Sequence, residues 1–220
     1  MNNESYHEAV HAMIEAGQWI MAMRMTWGSA GNMSVRIDET HAVVTASGTR
    51  FDQLTEEDFA LCSITDGTCT GRKPSKELQC HLGIYRQAPW AKAAIHVSPF
   101  YTTLAASSDL EIPNNLFVEN MYYLQRLVRI DYAHPGSASL SAMVERAAKD
   151  ATVILMKNHG VILYDKSLAE ARAGLEVLEN TCRMALEARQ CGLSLHPVSE
   201  EERISFLTES GYRPPRPWQE

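Results

Sequence analysis

Met33-Ser34-Val35-Arg36-Ile37-Asp38-Glu39-Thr40-His41-Ala42-Val43-Val44-Thr45 decides the fold class. Apolar and polar residues alternate over 33–37, which predicts a strand with one buried face. Asp38-Glu39-Thr40 turns the chain and 42–45 predicts the returning strand, so the pair forms an antiparallel hairpin. Upstream, Val10, Met13, Ile14, Gly17, Ile20, Met21 and Met25 recur at helical spacing and predict a helix over 6–25. Trp27-Gly28-Ser29-Ala30-Gly31-Asn32 breaks it with two glycines. Downstream, 54–58 predicts a turn or short helix, 59–64 a third strand, and Asp66-Gly67 a turn. A helix is expected from Ser75 to about Gln87, with Ser75 as its cap. Strands are expected at 93–97 and 152–156, and helices at 101–106, 139–150 and 167–190. Residues 109–137 are mixed and rich in aromatics, and the tail at 213–220 is expected to be extended and mobile. The expectation is one α/β domain spanning 1–220, with a mostly antiparallel sheet covered by helices.

Composition narrows the function. A chain of 220 residues, 45% hydrophobic and 21% charged, is one globular domain or at most two small ones. Lys and Arg number 20 against 27 Asp and Glu, a formal net charge of −7, with no basic run. That balance argues against a nucleic-acid partner. An anionic ligand would have to be held by a local site, because the overall field repels it. No apolar stretch approaches the ~18 residues of a membrane span. Met1-Asn2-Asn3-Glu4-Ser5 carries no basic region ahead of an apolar run, so the expected location is cytoplasmic. Cys62, Cys69, Cys80, Cys182 and Cys191 are odd in number and form no CxxC pair, so they are expected as free thiols.

Four segments place reactive or anion-binding groups beside a backbone irregularity. In Ala30-Gly31-Asn32, glycine lets the backbone approach a ligand and Asn donates an amide hydrogen. In Thr45-Ala46-Ser47-Gly48-Thr49, a hydroxyl and free N–H groups after a strand make a nest for phosphate. In Lys73-Pro74-Ser75-Lys76-Glu77-Leu78-Gln79-Cys80-His81, Ser75 opens a helix, Lys76 adds a cation, and Glu77 and His81 share a face. His96 and His159 each stand at or just beyond the end of an apolar strand. With Glu77 they make the ligand set of a catalytic metal site, provided the fold brings them together.

In this order the segments resemble the class II aldolase/adducin-head family, which includes L-fuculose-phosphate aldolase and L-ribulose-5-phosphate 4-epimerase. The resemblance covers almost the whole chain, from the first helix to the helix at 167–190. It implies a three-layer α/β/α domain with a mostly antiparallel central sheet, assembled as a homotetramer. It implies a divalent metal, Zn2+ with Mn2+ or Co2+ as alternatives, held by His96 and His159, with Glu77 as acid/base and further ligand. Gly31, Asn32, Ser47, Gly48 and Ser75 match the positions that hold the substrate's phosphate, and Lys76, where the fuculose-phosphate enzyme has a second serine, is compatible with holding it too.

Two departures stand out. Ser98 occupies the place of the family's second metal histidine, and a neutral hydroxyl is a much poorer zinc ligand than imidazole. Either the site keeps its metal on His96, His159, Glu77 and water, or it binds metal weakly, prefers a different ion or has lost catalysis. Phe117 stands where the fuculose-phosphate enzyme has a proton-donating tyrosine, leaving Tyr122, Tyr123 and Tyr212 as substitutes. The expected activity is an aldolase acting on a small phosphorylated keto-sugar. Decarboxylase, 4-epimerase and a non-catalytic adducin-like module are the alternatives.

Overall fold

The computed structural model describes residues 3–216 and 218. Eight strands form one sheet among the described residues: β1 (Asn32–Arg36), β2 (His41–Thr45), β3 (Phe59–Ser63), β4 (Cys69–Gly71), β5 (Ala93–Val97), β6 (Leu127–Ile130), β7 (Val153–Met156) and β8 (Gly160–Asp165). Their spatial order is β4-β3-β2-β1-β5-β8-β7-β6. All pairings are antiparallel except β6 with β7, so the sheet is mixed but mostly antiparallel. The helices are α1 (Asn3–Ala22), α2 (Leu78–Gln87), α3 (Phe100–Ala106), α4 (Val118–Tyr123), α5 (Ala138–Ala147), α6 (Leu168–Cys191) and α7 (Glu200–Glu209).

Strand alternation divides the apolar side chains between two cores, as a period of two requires. Met33, Val43, Ile95, Val161 and Leu163 pack with Val10, Met13, Leu175 and Leu178 of α1 and α6. Ala42, Val44, Ala94, Ile154 and Ile162 pack with Leu82, Ile84, Leu140 and Val144 of α2 and α5. The sheet is therefore the middle of three layers. Local chemistry sets the helix ends. The Ser167 side chain accepts from the Glu170 N–H to open α6, and Gly192 closes it in the left-handed conformation (φ 66°).

Several expectations are corrected. The first helix ends at Ala22 rather than 25, because Arg24 turns left-handed (φ 55°). Helix α2 begins at Leu78, not Ser75; residues 75–77 form a turn in which the Leu78 N–H reaches the Ser75 carbonyl at 3.1 Å. The mixed segment 109–137 contains α4 and β6, and strands β4 and β8 carried no separate prediction. The cysteines are not all free. Cys62 and Cys69 face each other in the β3–β4 register and are disulfide-bonded, with Cα atoms 4.1 Å apart. Cross-strand pairing supplies a proximity that spacing along the chain does not show.

Residues 211–216 form neither helix nor strand, and in the tail expected to be mobile Arg216 is anchored. Its guanidinium is 2% exposed, donates to Asp165 at 2.6 Å and stacks 4.3 Å from the Tyr122 ring. Pro217, Gln219 and Glu220 of that tail lie outside the described residues. Removing one partner of a buried ion pair strands the other charge. Asp165→Ala is expected to lower the unfolding free energy by about 3–5 kcal/mol, checked by urea denaturation.

Candidate active site

The register of the sheet builds the site. Asn32 of β1 lies opposite His96 of β5, and His96 lies opposite Ile162 of β8. Asn32 and His96 point to the α2 side, the face opposite Met33 and Ile95. The Glu77 side chain comes from the residue that caps α2, and His159 comes from the β7–β8 turn. That turn needs Asn158 in the left-handed conformation (φ 54°). It also needs glycine at 160, where a Cβ would meet the Val97 carbonyl at 2.6 Å and Ser98 Oγ at 2.7 Å.

The result is a cluster in which Glu77, His96 and His159 each offer a ligand atom within 4.8 Å of the others. Glu77 Oε2 lies 3.2 Å from His96 Nε2 and Glu77 Oε1 lies 3.3 Å from His159 Nε2. His96 Nδ1 is 2.8 Å from the Val161 carbonyl, which can only accept, so Nδ1 carries a hydrogen. A neutral His96 then aims a bare Nε2 at a carboxylate oxygen. Glu77 Oε1 and His159 Nδ1 are buried without a hydrogen-bond partner. Lone pairs converging in a buried space fit a divalent cation. Ser98 stands outside this set. Its hydroxyl donates to the His159 carbonyl at 3.0 Å, which steadies the turn that carries His159.

Charges inside the cluster act on one another. Burial pushes the Glu77 carboxyl up, but His96, the Asn32 amide, His159 and His81 outweigh it and hold the carboxyl below its usual value. Burial, with His96 acting the same way, lowers His159 against the opposing pull of Glu77. His81 is pushed down to about 3, chiefly by burial, with His96 adding and Glu77 opposing.

The other expected residues gather in the same place. Gly31, Asn32, Ser47, Gly48, Ser75, Lys76, Glu77, His96, Ser98 and His159 all line one cavity of about 470 Å³. Trp27, Ser29, Ala30, Ala46 and Pro135 line it too, and carried no individual prediction. Pro135 lies in the segment whose pattern was mixed, where only the Pro-Gly pair marks a turn. Gly31 has φ 99° and a Cβ there would meet the His96 carbonyl at 2.7 Å. The two turns meet side by side: the Ser47 N–H donates to the Lys73 carbonyl and the Ser75 N–H to the Thr45 carbonyl, at 2.9 and 3.0 Å. The nest of free N–H groups expected after β2 is thus reduced, because Ser47 spends its own on Lys73. Asn32 is also partly committed: its Nδ2 donates to Glu77 Oε2 at 2.8 Å and its Oδ1 lies 2.6 Å from His81 Nε2.

The tyrosines lie elsewhere. Tyr122, Tyr123 and Tyr212 donate to the Pro214 carbonyl, Glu170 and Glu119, and none of them lines this cavity. Phe117 caps α4 and does not line it either. A larger hollow of about 890 Å³ lies between 108–113, Arg129 of β6 and α6, but gathers no metal-ligating cluster among the described residues.

The fold and this site define a family. Residues 11–186 match the class II aldolase and adducin N-terminal domain, and the chain belongs to that family. It is 31% identical over 176 residues to 3-oxo-tetronate 4-phosphate decarboxylase of Haemophilus influenzae, covering 78% of this chain and 84% of that one. It is 34% identical over 159 residues to L-fuculose phosphate aldolase of Methanocaldococcus jannaschii, covering 72% and 85%. Its fold is similar to that of YgbL from Klebsiella pneumoniae, with TM-score 0.84 at 22% identity over 91% of this chain and 98% of that one. It is similar also to that of l-fuculose-1-phosphate aldolase from Thermus thermophilus, with TM-score 0.75 at 24% identity over 84% and 95%.

His81, fully buried, and His159, half-buried, contribute to the acid side of the stability curve. His81 and His159 are lowered in the folded chain, so the unfolded state binds more protons below its histidine pKa of about 6.5. Their contribution is complete above that pH and is lost as pH falls toward the folded values. The lowered Glu77 acts in the same direction but starts in the carboxylate range. In metal-free protein, stability is expected to fall from about pH 6.5 downward, by up to about 1.4 kcal/mol per pH unit for each group. Chemical denaturation between pH 4 and 8 checks this, and His81→Gln should flatten the slope.

Proposed function

We propose that this protein is a metal-dependent carbon–carbon lyase acting on a small phosphorylated keto-sugar. The observation that carries the reading is the Glu77, His96 and His159 cluster sharing one cavity with Gly31, Ser47, Gly48, Ser75 and Lys76. The first set is suited to hold a divalent cation, and the second to hold a phosphate. Two imidazoles and a carboxylate are the donor set of catalytic zinc, so Zn2+ is the first choice, with Mn2+ and Co2+ next. The metal would supply Lewis-acid stabilisation of the negative charge that an enediolate carries.

The chain's own residues do the rest. Lys76 and the hydroxyls of Ser47 and Ser75 hold the phosphate, and Gly31 and Gly48 let the backbone come close. Asn32 retains one amide hydrogen for the substrate beyond the one given to Glu77. This anchoring fixes the reacting carbons relative to Glu77. Glu77, held as a carboxylate, moves the proton to or from the reacting carbon or hydroxyl as the carbon–carbon bond breaks. The active assembly is a homotetramer. Decarboxylation of a phosphorylated 3-oxo acid is the second reading, favoured by the similarity to the Haemophilus influenzae decarboxylase. It needs the same charge stabilisation, with carbon dioxide as the departing group.

A panel of ketose phosphates and phosphorylated 3-oxo acids separates the readings. Aldehyde release supports the first, carbon dioxide release the second, and stereochemical change alone a 4-epimerase. No turnover together with no bound metal would leave only an adducin-like module. Glu77→Gln is expected to cut turnover by about 10²–10⁴-fold and to loosen the metal, because the amide oxygen keeps a ligand atom but not its charge. His159→Ala should strip the metal, as read by elemental analysis of the purified variant.

A further inference from the structure

The α2 side of β1 carries Asn32, Ser34 and Arg36, spaced by two. Helix α2 and its cap answer with Glu77, His81 and Tyr85, spaced by four. The two rows interlock. Tyr85 Oη lies 2.8 Å from Ser34 Oγ, and Ser34 Oγ lies 2.7 Å from His81 Nδ1. His81 Nε2 lies 2.6 Å from Asn32 Oδ1, and Asn32 Nδ2 lies 2.8 Å from Glu77 Oε2. Ser34 and His81 are fully buried, Tyr85 nearly so, and Asn32 and Glu77 are less than a tenth exposed.

Donor and acceptor counting gives this chain one direction. A carboxylate only accepts, so Asn32 must present its NH2 to Glu77 and its oxygen to His81. That oxygen also only accepts, so His81 Nε2 must carry a hydrogen. Full burial keeps the ring neutral, so Nδ1 is bare and takes the Ser34 hydroxyl hydrogen. Ser34 then accepts from Tyr85. Reversing any link would set two acceptors or two donors face to face in a buried space.

We infer that Tyr85, Ser34 and His81 are positioning residues that lock the Asn32 amide, which in turn pins Glu77 Oε2 and leaves Oε1 for the cation and the moving proton. This deepens the metal-lyase reading and rests on it for the role of Oε1; the hydrogen-bond direction stands independently. Without His81 the Asn32 amide can flip and face Glu77 with an oxygen. The carboxylate would then lose its orientation while the rest of the ligand set remained.

Two measurements on the full chain decide it. Histidine 15N spectra of the metal-free protein at pH 7 should show His81 protonated at Nε2 and bare at Nδ1. A hydrogen on Nδ1, alone or with Nε2, overturns the assignment. Zn2+ affinity, read by competition with a chromophoric chelator, should weaken about 10- to 100-fold in His81→Leu. His81→Gln, whose amide keeps an N–H at the reach of Nε2, should stay within about threefold of the parent. Unchanged affinity in a folded His81→Leu overturns the positioning role. If His81→Leu does not fold, Ser34→Ala replaces it, and should turn the single His81 tautomer into a mixture; a tautomer that stays single overturns the relay. A parent chain that binds no Zn2+ sinks the metal reading instead, and the tautomer then decides the relay on its own.

Discussion

A carboxylate buried against two imidazoles is costly unless its charge is answered from every side, and the site follows from that constraint. Glu77 is only 8% exposed, and taking a carboxylate out of water costs several kcal/mol after relaxation, about the size of a domain's whole stability. The Asn32 amide answers one oxygen, and ring nitrogens of His96 and His159 face the two oxygens at 3.2 and 3.3 Å. The Oε1 atom still lacks a hydrogen bond. A buried acceptor left open beside an imidazole nitrogen suits a cation or a proton.

The surrounding structure holds this arrangement rigid by meeting two periodicities. Alternation along β1 brings every second residue to α2, and a step of four along α2 brings one side chain per turn to β1. The rungs are polar from Glu77 to Tyr85, an expensive choice for a core unless each group is satisfied. Here each is, apart from the single Glu77 oxygen, Oε1, left toward the site. Such a fully bonded network specifies one geometry more sharply than apolar packing would. The Arg36 guanidinium continues the pattern, donating to the carbonyls of Tyr85 and Pro89.

The substrate side obeys a different logic. The chain is acidic overall, so long-range steering of an anion is weak. The cavity compensates locally, with Lys76 and hydroxyls from two neighbouring turns joined by the Ala46–Pro74 bridge. Because the Ser47 and Ser75 N–H groups serve to join these turns, this wall of the cavity offers an anion side chains, Gly31 and Gly48 more than a nest of amides.

Much of the fold was legible in the order of residues. The 33–45 hairpin, the buried strand at 93–97 and the capped helix at 167–190 follow from alternation, helical spacing and cap chemistry, which are local properties. Glu77, His96, His159 and the glycine- and serine-bearing turns could also be singled out, because each sits at a break between regular elements. Strands β4, β6 and β8 and helix α4 were not legible, and three further features depend on tertiary contacts. The Cys62–Cys69 bridge depends on a strand register set by turn geometry. The start of α2 at Leu78 depends on Ser75 being drawn to the Thr45 carbonyl. The anchoring of Arg216 depends on Asp165, 51 residues away along the chain. By itself the sequence determined most of the elements and the kinds of side chain available. Tertiary structure alone decided that Asn32, Glu77, His96 and His159 meet, because convergence is set by strand register and helix docking, and these are long-range packing outcomes with no local signature.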